Sequence, residues 1–477
     1  MKLSIFNFKS IGSLVNYEMR PLTILSGTNS SGKSSFIQLL LFLKQSLETI
    51  NKDNALNIDG KLFKVRDYLD IIKDKKQSNK LKVGFTFNKS ELTKYNHFPE
   101  ISIHNAFDNY DLNITLEFDL RDNKITVSLF EVKFITNDTE IQEHNIKFEI
   151  NDDLSINTNV AVFNDELYKE QGKYKVRKIN FSSFFPSDVE LEFKTEIIDL
   201  KGNKKDVEST SKAVLKFDGI KTVIKDFFAN LNYVGPLRLA PKDEYSLYGK
   251  SNSVGIDGGN VAEAFYELSK QTITFFKIED ISESVCFVKV EDSFLNAVKY
   301  WLCERFKLCA DIYSKKEADS YIIYVKSLSG IESTIKHVGF GISQVLPIIV
   351  EGLRIEENET LILEQPEIHL HPKVQSNLTD FLISLVEQGK KVVIETHSDH
   401  LITRLRRRIA EDTSNQLDDK VLLTFVEVGK NDVLFNNITI DDFGIVELPY
   451  PEDFIENQDG ELKAILRAQM KKRLNKK

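Results

Sequence analysis

An α/β fold with a mixed sheet, interrupted by a long β-rich insertion, is predicted by three features of this 477-residue chain. A short apolar run, Pro21-Leu-Thr-Ile-Leu25, leads into the loop Gly27-Thr-Asn-Ser-Ser-Gly32-Lys33-Ser34 and then an apolar helix. Far downstream, Thr360-Leu-Ile-Leu363 and Lys391-Val-Val-Ile394 read as buried strands separated by helical stretches. Between these halves the texture changes to alternating apolar and polar residues, the mark of half-solvated antiparallel strands.

Taken in order, Leu3, Ile5 and Phe8 are strand-like. The helix from Ser35 to about Ile50 carries Phe36, Leu39, Leu40, Phe42, Leu43 and Leu47 on a broad apolar face. The β-rich stretch includes Leu112-Asn-Ile-Thr-Leu-Glu-Phe118 and Ile146-Lys-Phe-Glu-Ile150. Residues 100–185 hold no proline and a single glycine, Gly172, so turns fall to Asn and Asp, as in Arg121-Asp-Asn-Lys124. From Ile220 the pattern is mixed and more helical, through Trp301-Leu-Cys-Glu-Arg-Phe306. Residues 320–445 return to α/β, with Tyr321-Ile-Ile-Tyr-Val325 as a further strand and helices at Ile342–Leu353 and Lys373–Gln388. Residues 462–477 form a basic amphipathic helix with seven Lys/Arg and no acid. The organisation expected is 1–55 and 331–450 as two parts of one head, 56–225 as the insertion, 226–330 as a helical or mixed subdomain, and 451–477 as the basic helix.

The net charge of -9 argues against a generally basic nucleic-acid binder. Three cysteines, Cys286, Cys303 and Cys309, are too few for a disulfide framework, and a reducing cytoplasm is the expected location. No secretory signal is expected, because Met1-Lys2 leads straight into a strand-like run. The uncharged stretch Val338–Val350 contains Pro347 and is far short of the roughly 20 residues of a membrane span. A permease is excluded on this reading. Glycine and proline are scarce, 21 and 10 residues, which makes their placement informative.

The loop from Gly27 to Ser34 matches G-x-x-x-x-G-K-[ST] at every position. Backbone N–H groups that point inward around a phosphate need glycine at the bends. The lysine reaches the outer phosphates and the serine hydroxyl reaches Mg²⁺. A helix that starts at the loop adds its positive N-terminus.

Three more motifs follow: Gly339-Phe-Gly-Ile-Ser-Gln344 before an apolar helix, Glu364-Gln-Pro-Glu-Ile-His-Leu-His-Pro372 after an apolar strand, and Glu395-Thr-His-Ser398 after another. This set resembles the ABC-type ATPase heads of the SMC and DNA-repair class, and more closely the bacterial P-loop ATPases of antiphage defence, such as the Septu-type ATPases. Asn7-Phe-Lys-Ser-Ile11 and Tyr233-Val-Gly-Pro-Leu-Arg238 look like the same group. The resemblance spans about residues 1–50 and 230–455 and leaves the β-rich insertion without a counterpart. It implies an ABC-ATPase-type head that takes ATP and Mg²⁺. Gly27, Thr28, Asn29, Ser30, Ser31, Gly32, Lys33, Ser34 and Ser35 would form the Walker A loop. Ser34 and Glu364 would serve the metal. Gly339, Gly341, Ser343 and Gln344 would be a signature segment acting across a homodimer or larger homo-oligomer. His397 would be the switch histidine.

One departure bears on mechanism. The family pattern ends its Walker B strand in Asp-Glu, and the second carboxylate polarises water. Here the pair is Glu364-Gln365, which leaves Glu367 as a candidate base two residues on. Phosphoryl transfer depends mostly on positioning and charge neutralisation, so slow hydrolysis is expected. Gln38 and Gln45 lie on the first helix, and neither is assignable to a Q-loop.

His337, His369, His371, His397 and His400 cluster in sequence, but His369 and His371 already belong to the ATPase pattern, which weakens a zinc reading. Arg404, Arg406, Arg407 and Arg408 with the C-terminal helix admit three readings: a solvated face, a dock for a partner, or contact with DNA. Asp441-Asp442 reads as a solvated turn. The leading expectation is an ATPase that dimerises around nucleotide and controls a separate effector, an HNH-type nuclease in trans. The alternatives are a nucleotide-sensing module with little hydrolysis and a DNA-repair head.

Overall fold

The computed structural model describes residues 1–49, 54–93, 95, 109–136, 139–140, 146–151, 156–160, 174–198, 204–246, 252–281, 284–412 and 416–447. Two units emerge, Met1–Glu18 with Ser35–Ala229, and Met19–Ser34 with Asn230–Lys477.

In the first unit the alternating segments become one antiparallel sheet. Its order is Ile11–Glu18, Lys2–Phe8, Leu81–Asn88, Asp111–Arg121, Lys124–Thr136, Ile146–Ile150, Ile156–Val160, with Thr139–Glu140 also on Lys124–Thr136. Leu81, Val83, Phe85 and Phe87 are buried, as are Leu112, Ile114, Leu116 and Phe118, so one face of each strand is core. Arg121 pairs with Lys124 across a two-residue turn. Asp122 and Asn123 take φ of 46° and 61°, left-handed values that short polar side chains tolerate.

The helix Lys33–Glu48 contributes Phe36, Ile37, Leu39, Leu40, Phe42 and Leu43 to this core. Gln45 is buried on it and donates to Asn57 O at 2.6 Å and Phe63 O at 2.7 Å. Gln38 accepts from Lys9 Nζ at 2.7 Å. Both glutamines therefore bond within this unit. A second antiparallel sheet is made by Tyr174–Ser182, Phe185–Ile198 and Lys204–Lys216.

The second unit is built on a six-stranded sheet in the order Leu231–Val234, Thr360–Glu364, Lys391–Glu395, Leu22–Gly27, Val421–Val428, Val433–Ile438. The first five run parallel and the last is antiparallel. Its central strands are buried over nearly their whole length, which explains their continuous apolar runs. The helices Phe340–Arg354, Pro372–Glu387 and Asp399–Glu411 share a hydrophobic core with the sheet.

Tyr321–Val325, expected among the α/β strands, lies instead in an antiparallel sheet. There Ser320–Lys326 pairs with Asp311–Glu317, Tyr245–Ser246 and Glu332–Thr334. The local reason is the two-residue turn after Glu317, where Ala318 takes φ 48° and returns the chain onto its predecessor. The Trp301 region is helical: Phe294–Lys299 runs into a wide π-helical stretch, Tyr300–Arg305, and Trp301 is fully buried against Phe381. Among the described residues no helix is long and apolar enough to cross a membrane. The expected basic C-terminal helix lies outside the described residues.

Candidate nucleotide-binding and catalytic site

The second unit's parallel strands bring three motifs to one edge. Glu364 pairs with Glu395 in register, and Glu395 pairs with Leu25, so two carboxylates and the start of the glycine loop stand side by side at the strands' C-terminal ends. In open α/β sheets this is where ligands bind.

The loop has an internal reason for its first glycine. Gly27 takes φ 140°, and a Cβ there would lie 2.0 Å from the backbone oxygen of Val426 on the neighbouring strand. Ser30 at φ 60° and Gly32 at φ 104° complete the bend. Thr28, Asn29 and Ser30 are exposed, whereas Ser31 and Lys33 are buried.

Lys33 Nζ donates to Gly27 O at 3.0 Å, Thr28 O at 2.6 Å and Ser31 Oγ at 3.4 Å. Burial pulls its ammonium below the usual lysine range, against the opposing pull of Glu395 and Glu367. Ser34 Oγ donates to Glu395 Oε1 at 2.9 Å. Ser35 belongs to the first unit and its hydroxyl lies 3.1 Å from that of Ser10.

Glu364 is buried and accepts a hydrogen bond from Tyr233 Oη at 2.8 Å. Burial and that carboxylate both push the Tyr233 phenol well above its ordinary range. Gln365 takes φ 44°; its N–H donates to Glu395 O at 2.8 Å. Glu367 Oε1 accepts the backbone N–H of His397 at 2.7 Å. Burial raises the Glu367 carboxyl above the ordinary range, and the His397 N–H pulls the other way. Glu395 is likewise raised by burial, against Ser34 and Lys33, with Glu367 adding to the rise. Among the described residues, Glu367 Oε2 and Glu395 Oε2 are buried with no hydrogen-bond partner. The His397 ring sits in the same electrostatic neighbourhood; desolvation and Lys33 lower its pKa, opposed by a backbone group of Gly27.

Gly339 is the N-cap of the helix Phe340–Arg354, with Gly341 inside its first turn. Ser343 Oγ donates to Phe340 O at 2.8 Å, and Gln344 is buried. Neither glycine is demanded by this chain's own packing. A Cβ at Gly339 meets nothing within 4 Å, and at Gly341 only Leu308 at 4.0 Å. Phe340 beside them is exposed and its ring centroid is 6.4 Å from that of His369.

Three residues escaped the sequence reading. Glu395 ends a buried strand, as Glu364 does, and that shared position is its signal in the sequence. Tyr233 and Arg238 stand in one quoted motif without a role. Arg238 is buried and donates to Gln344 O at 3.1 Å, Gln365 O at 3.0 Å and Pro366 O at 3.4 Å, so it pins the helix Phe340–Arg354 to the turn after Glu364. Burial lowers its pKa to about 10, against the pull of Glu367.

Other candidates resolve differently. Arg404 and Arg408 do not form a solvated basic face: both pair with Asp380, which is wholly buried, and Arg406 donates to Gly444 O. The apolar spacing of the helix Asp399–Glu411 turns these two guanidiniums inward, so of the cluster they are not a surface for DNA. His371 caps the helix Pro372–Glu387 through Lys373 N–H. Asp441 accepts from the N–H groups of Phe443 and Ile445, a tight turn.

The family described as AAA ATPase domain matches residues 1–402. No curated protein matches the chain. Solved structures similar to it include the SMC head domain from Thermotoga maritima, 10% identical over 92% of this chain and 98% of that one, with a TM-score of 0.36. A SmcHead bound to the C-winged helix domain of ScpA is 11% identical over 92% and 97%, TM-score 0.41. An Smc head domain bound to the C-terminal domain of ScpA, derived from Pyrococcus furiosus, is 9% identical over 92% and 96%, TM-score 0.40.

Proposed function

The chain belongs to the AAA ATPase domain family, and on that premise we propose that it binds ATP with Mg²⁺ at the loop Gly27–Ser34 and hydrolyses it slowly. The observation that supports this most is the bond from Ser34 to Glu395 beside two buried carboxylate oxygens without donors. Unpaired buried carboxylate oxygens are costly. A cation with its waters is the group that such a set suits, so the residues fit Mg²⁺.

Ser34, with Glu364 and Glu395 behind it, would hold the metal, whose charge offsets that of the phosphates. Lys33 exchanges loop carbonyls for phosphate oxygens. The loop's N–H groups and the helix N-terminus supply the rest of the cradle. Glu367, held by the His397 N–H and raised in pKa, is placed to accept a proton from water; Gln365 orients water without accepting one. The amide at that position favours slow turnover. It also supports the second reading, a sensing module whose occupancy matters more than its hydrolysis.

The signature segment is proposed to act on nucleotide held by a second copy. The open space around Gly339 and Gly341 supports close approach by a neighbour. Control of a separate effector, an HNH-type nuclease in antiphage defence, rests on the Glu364–Pro372 and Glu395–Ser398 wording alone.

Phosphate release from the wild type, Lys33→Ala and Glu367→Gln tests the reading. Lys33→Ala is expected to lose about 10²–10³-fold. Glu367→Gln is expected to retain ATP binding and lose turnover. Intrinsic turnover on the order of tens per second that survives Glu367→Gln sinks the slow mechanism. Binding without any release, in wild type and variant alike, establishes the sensing module instead.

A further inference from the structure

The π-helical stretch Tyr300–Arg305 places Cys303 against a cysteine six residues on. Cys303 Sγ and Cys309 Sγ are 3.1 Å apart, inside hydrogen-bonding distance for sulfur. The chain is wound to produce this approach. Phe306 N–H bonds to Trp301 O at 2.9 Å, Leu308 N–H bonds to Leu302 O at 3.0 Å, and Lys307 takes φ 56°, so the loop folds back over the helix end. Ala310 N–H then bonds to Lys326 O and fixes the exit. π-Helical turns are rare and concentrate at functional positions.

The two thiols differ in a useful way. Cys303 is half-buried and Cys309 buried. The hydrogen bond from Cys309 lowers the Cys303 thiol below its ordinary range, although burial opposes it. The same bond, with burial, raises Cys309. A partly exposed thiol biased toward thiolate, beside a second thiol, is the arrangement of a peroxide-sensitive pair.

We propose that Cys303 and Cys309 are a reversible dithiol–disulfide site whose oxidant is a peroxide. The Cys303 thiolate attacks the peroxide O–O bond. It becomes the sulfenic acid as one peroxide oxygen leaves as alkoxide or hydroxide, which takes up a proton. The Cys309 thiol then attacks that sulfur, the S–S bond forms and one water leaves. Two thiols are oxidised by two electrons, and one peroxide is reduced. The sulfurs need close only from 3.1 Å to the roughly 2.05 Å of a disulfide.

The consequence reaches the proposed signature segment. Closing the bond tightens the loop that carries Leu308, and Leu308 is the neighbour a side chain at Gly341 would meet first. The same loop is tied to the helix Pro372–Glu387, because Arg305 O accepts from Asn377 Nδ2 at 2.9 Å. An effect on hydrolysis follows only under the ATPase reading, whereas the thiol chemistry stands apart from it.

The test uses the reduced full-length protein, hydrogen peroxide, and alkylation with peptide mass mapping. Half-buried Cys286 is the internal control. The expected result is joint loss of alkylation at Cys303 and Cys309, a linked peptide lighter by about 2 Da, and full recovery with dithiothreitol, while Cys286 stays alkylatable. Cys309→Ser should leave Cys303 as a dimedone-reactive sulfenic acid, and Cys303→Ser should protect Cys309. The proposal is overturned if Cys286 oxidises as fast as the pair, if Cys303 proceeds to sulfinic acid with no linked peptide, or if Cys309 oxidises at the wild-type rate in Cys303→Ser. The wild-type mapping decides the matter even if a variant fails to fold.

Discussion

Tyr233 Oη donates to Glu364 Oε1 at 2.8 Å, which fixes the carboxylate that ends the strand Thr360–Glu364. The phenol is held protonated by burial and by that carboxylate, so it is a permanent donor across the physiological range. Tyr233→Phe keeps the ring and removes the donor. A loss of about 1–3 kcal/mol is expected in urea denaturation without nucleotide. Under the ATPase reading, the Mg²⁺ concentration for half-maximal phosphate release should rise several-fold. An unchanged Mg²⁺ dependence would show that Tyr233 serves stability alone.

The two glycine loops should respond differently to a methyl group. Gly27→Ala meets the Val426 backbone at 2.0 Å and a positive φ, and is expected to give insoluble or unfolded protein. Gly339→Ala meets nothing within 4 Å and should unfold at the wild-type urea midpoint. If the signature acts on a second copy, Gly339→Ala should nonetheless slow phosphate release. Equal rates in wild type and Gly339→Ala would remove the signature from the mechanism.

Asp380 is a buried anion shared by Arg404 at 2.8 Å, Arg408 at 2.7 Å and, more distantly, Arg305 at 3.6 Å. Burial pushes its carboxyl up, but Arg408 and Arg404 outweigh it and hold the pKa below the ordinary aspartate range. Its contribution is therefore complete above that range and lost as pH falls through the depressed value. Asp380→Asn takes the shared carboxylate from Arg404 and from buried Arg408, which keeps Glu411, and should cost about 3–5 kcal/mol. Arg407→Ala, which removes an exposed guanidinium from Glu411, should cost under about 1 kcal/mol. Similar urea midpoints for the two variants would refute the ranking.

Lys390 gives the opposite pH signature. Its Nζ donates to Gly352 O and Leu353 O in the last turn of the helix ending at Arg354, and burial lowers its pKa to about 7. The unfolded lysine titrates near pH ~10.4. Between these values the unfolded chain binds more protons, so this group's contribution to stability rises with pH from about 7 to about 10. Wild type should gain relative to Lys390→Met across urea denaturations at increasing pH in that window. A flat difference would mean that the two carbonyls hold the charged form after all.

Local pattern and distant pairing were not equally readable. The alternation in 112–118, the Asp122-Asn123 turn and the buried runs at 22–25, 360–363 and 391–394 were visible because each is set by its own residues. Partners were not. Nothing in Leu3 or Ile5 says that Lys2–Phe8 pairs with Leu81–Asn88, and Tyr321–Val325 looks as buried as a parallel strand although it belongs to an antiparallel sheet. The site divides in the same way. Gly27–Ser34 is contiguous and could be read, whereas the Ser34–Glu395 bond joins positions 361 residues apart. Arg404 and Arg408 misled because charge runs do not reveal a single buried aspartate on another helix.

Among the described residues the strand Leu22–Gly27 pairs with Lys391–Glu395 and Val421–Val428 alone. Its contacts thus close loops of about 370 and 400 residues. On a ribosome adding roughly 5–20 residues per second, the nucleotide loop would wait about 20–80 s before its flanking strands emerge. High contact order of this kind slows folding, since loop-closure entropy precedes any gain from pairing. An apolar strand without partners for that long is a target for holding chaperones. Chains truncated before about residue 390 are expected to leave Leu22–Gly27 without either neighbour, whatever the integrity of their glycine loop.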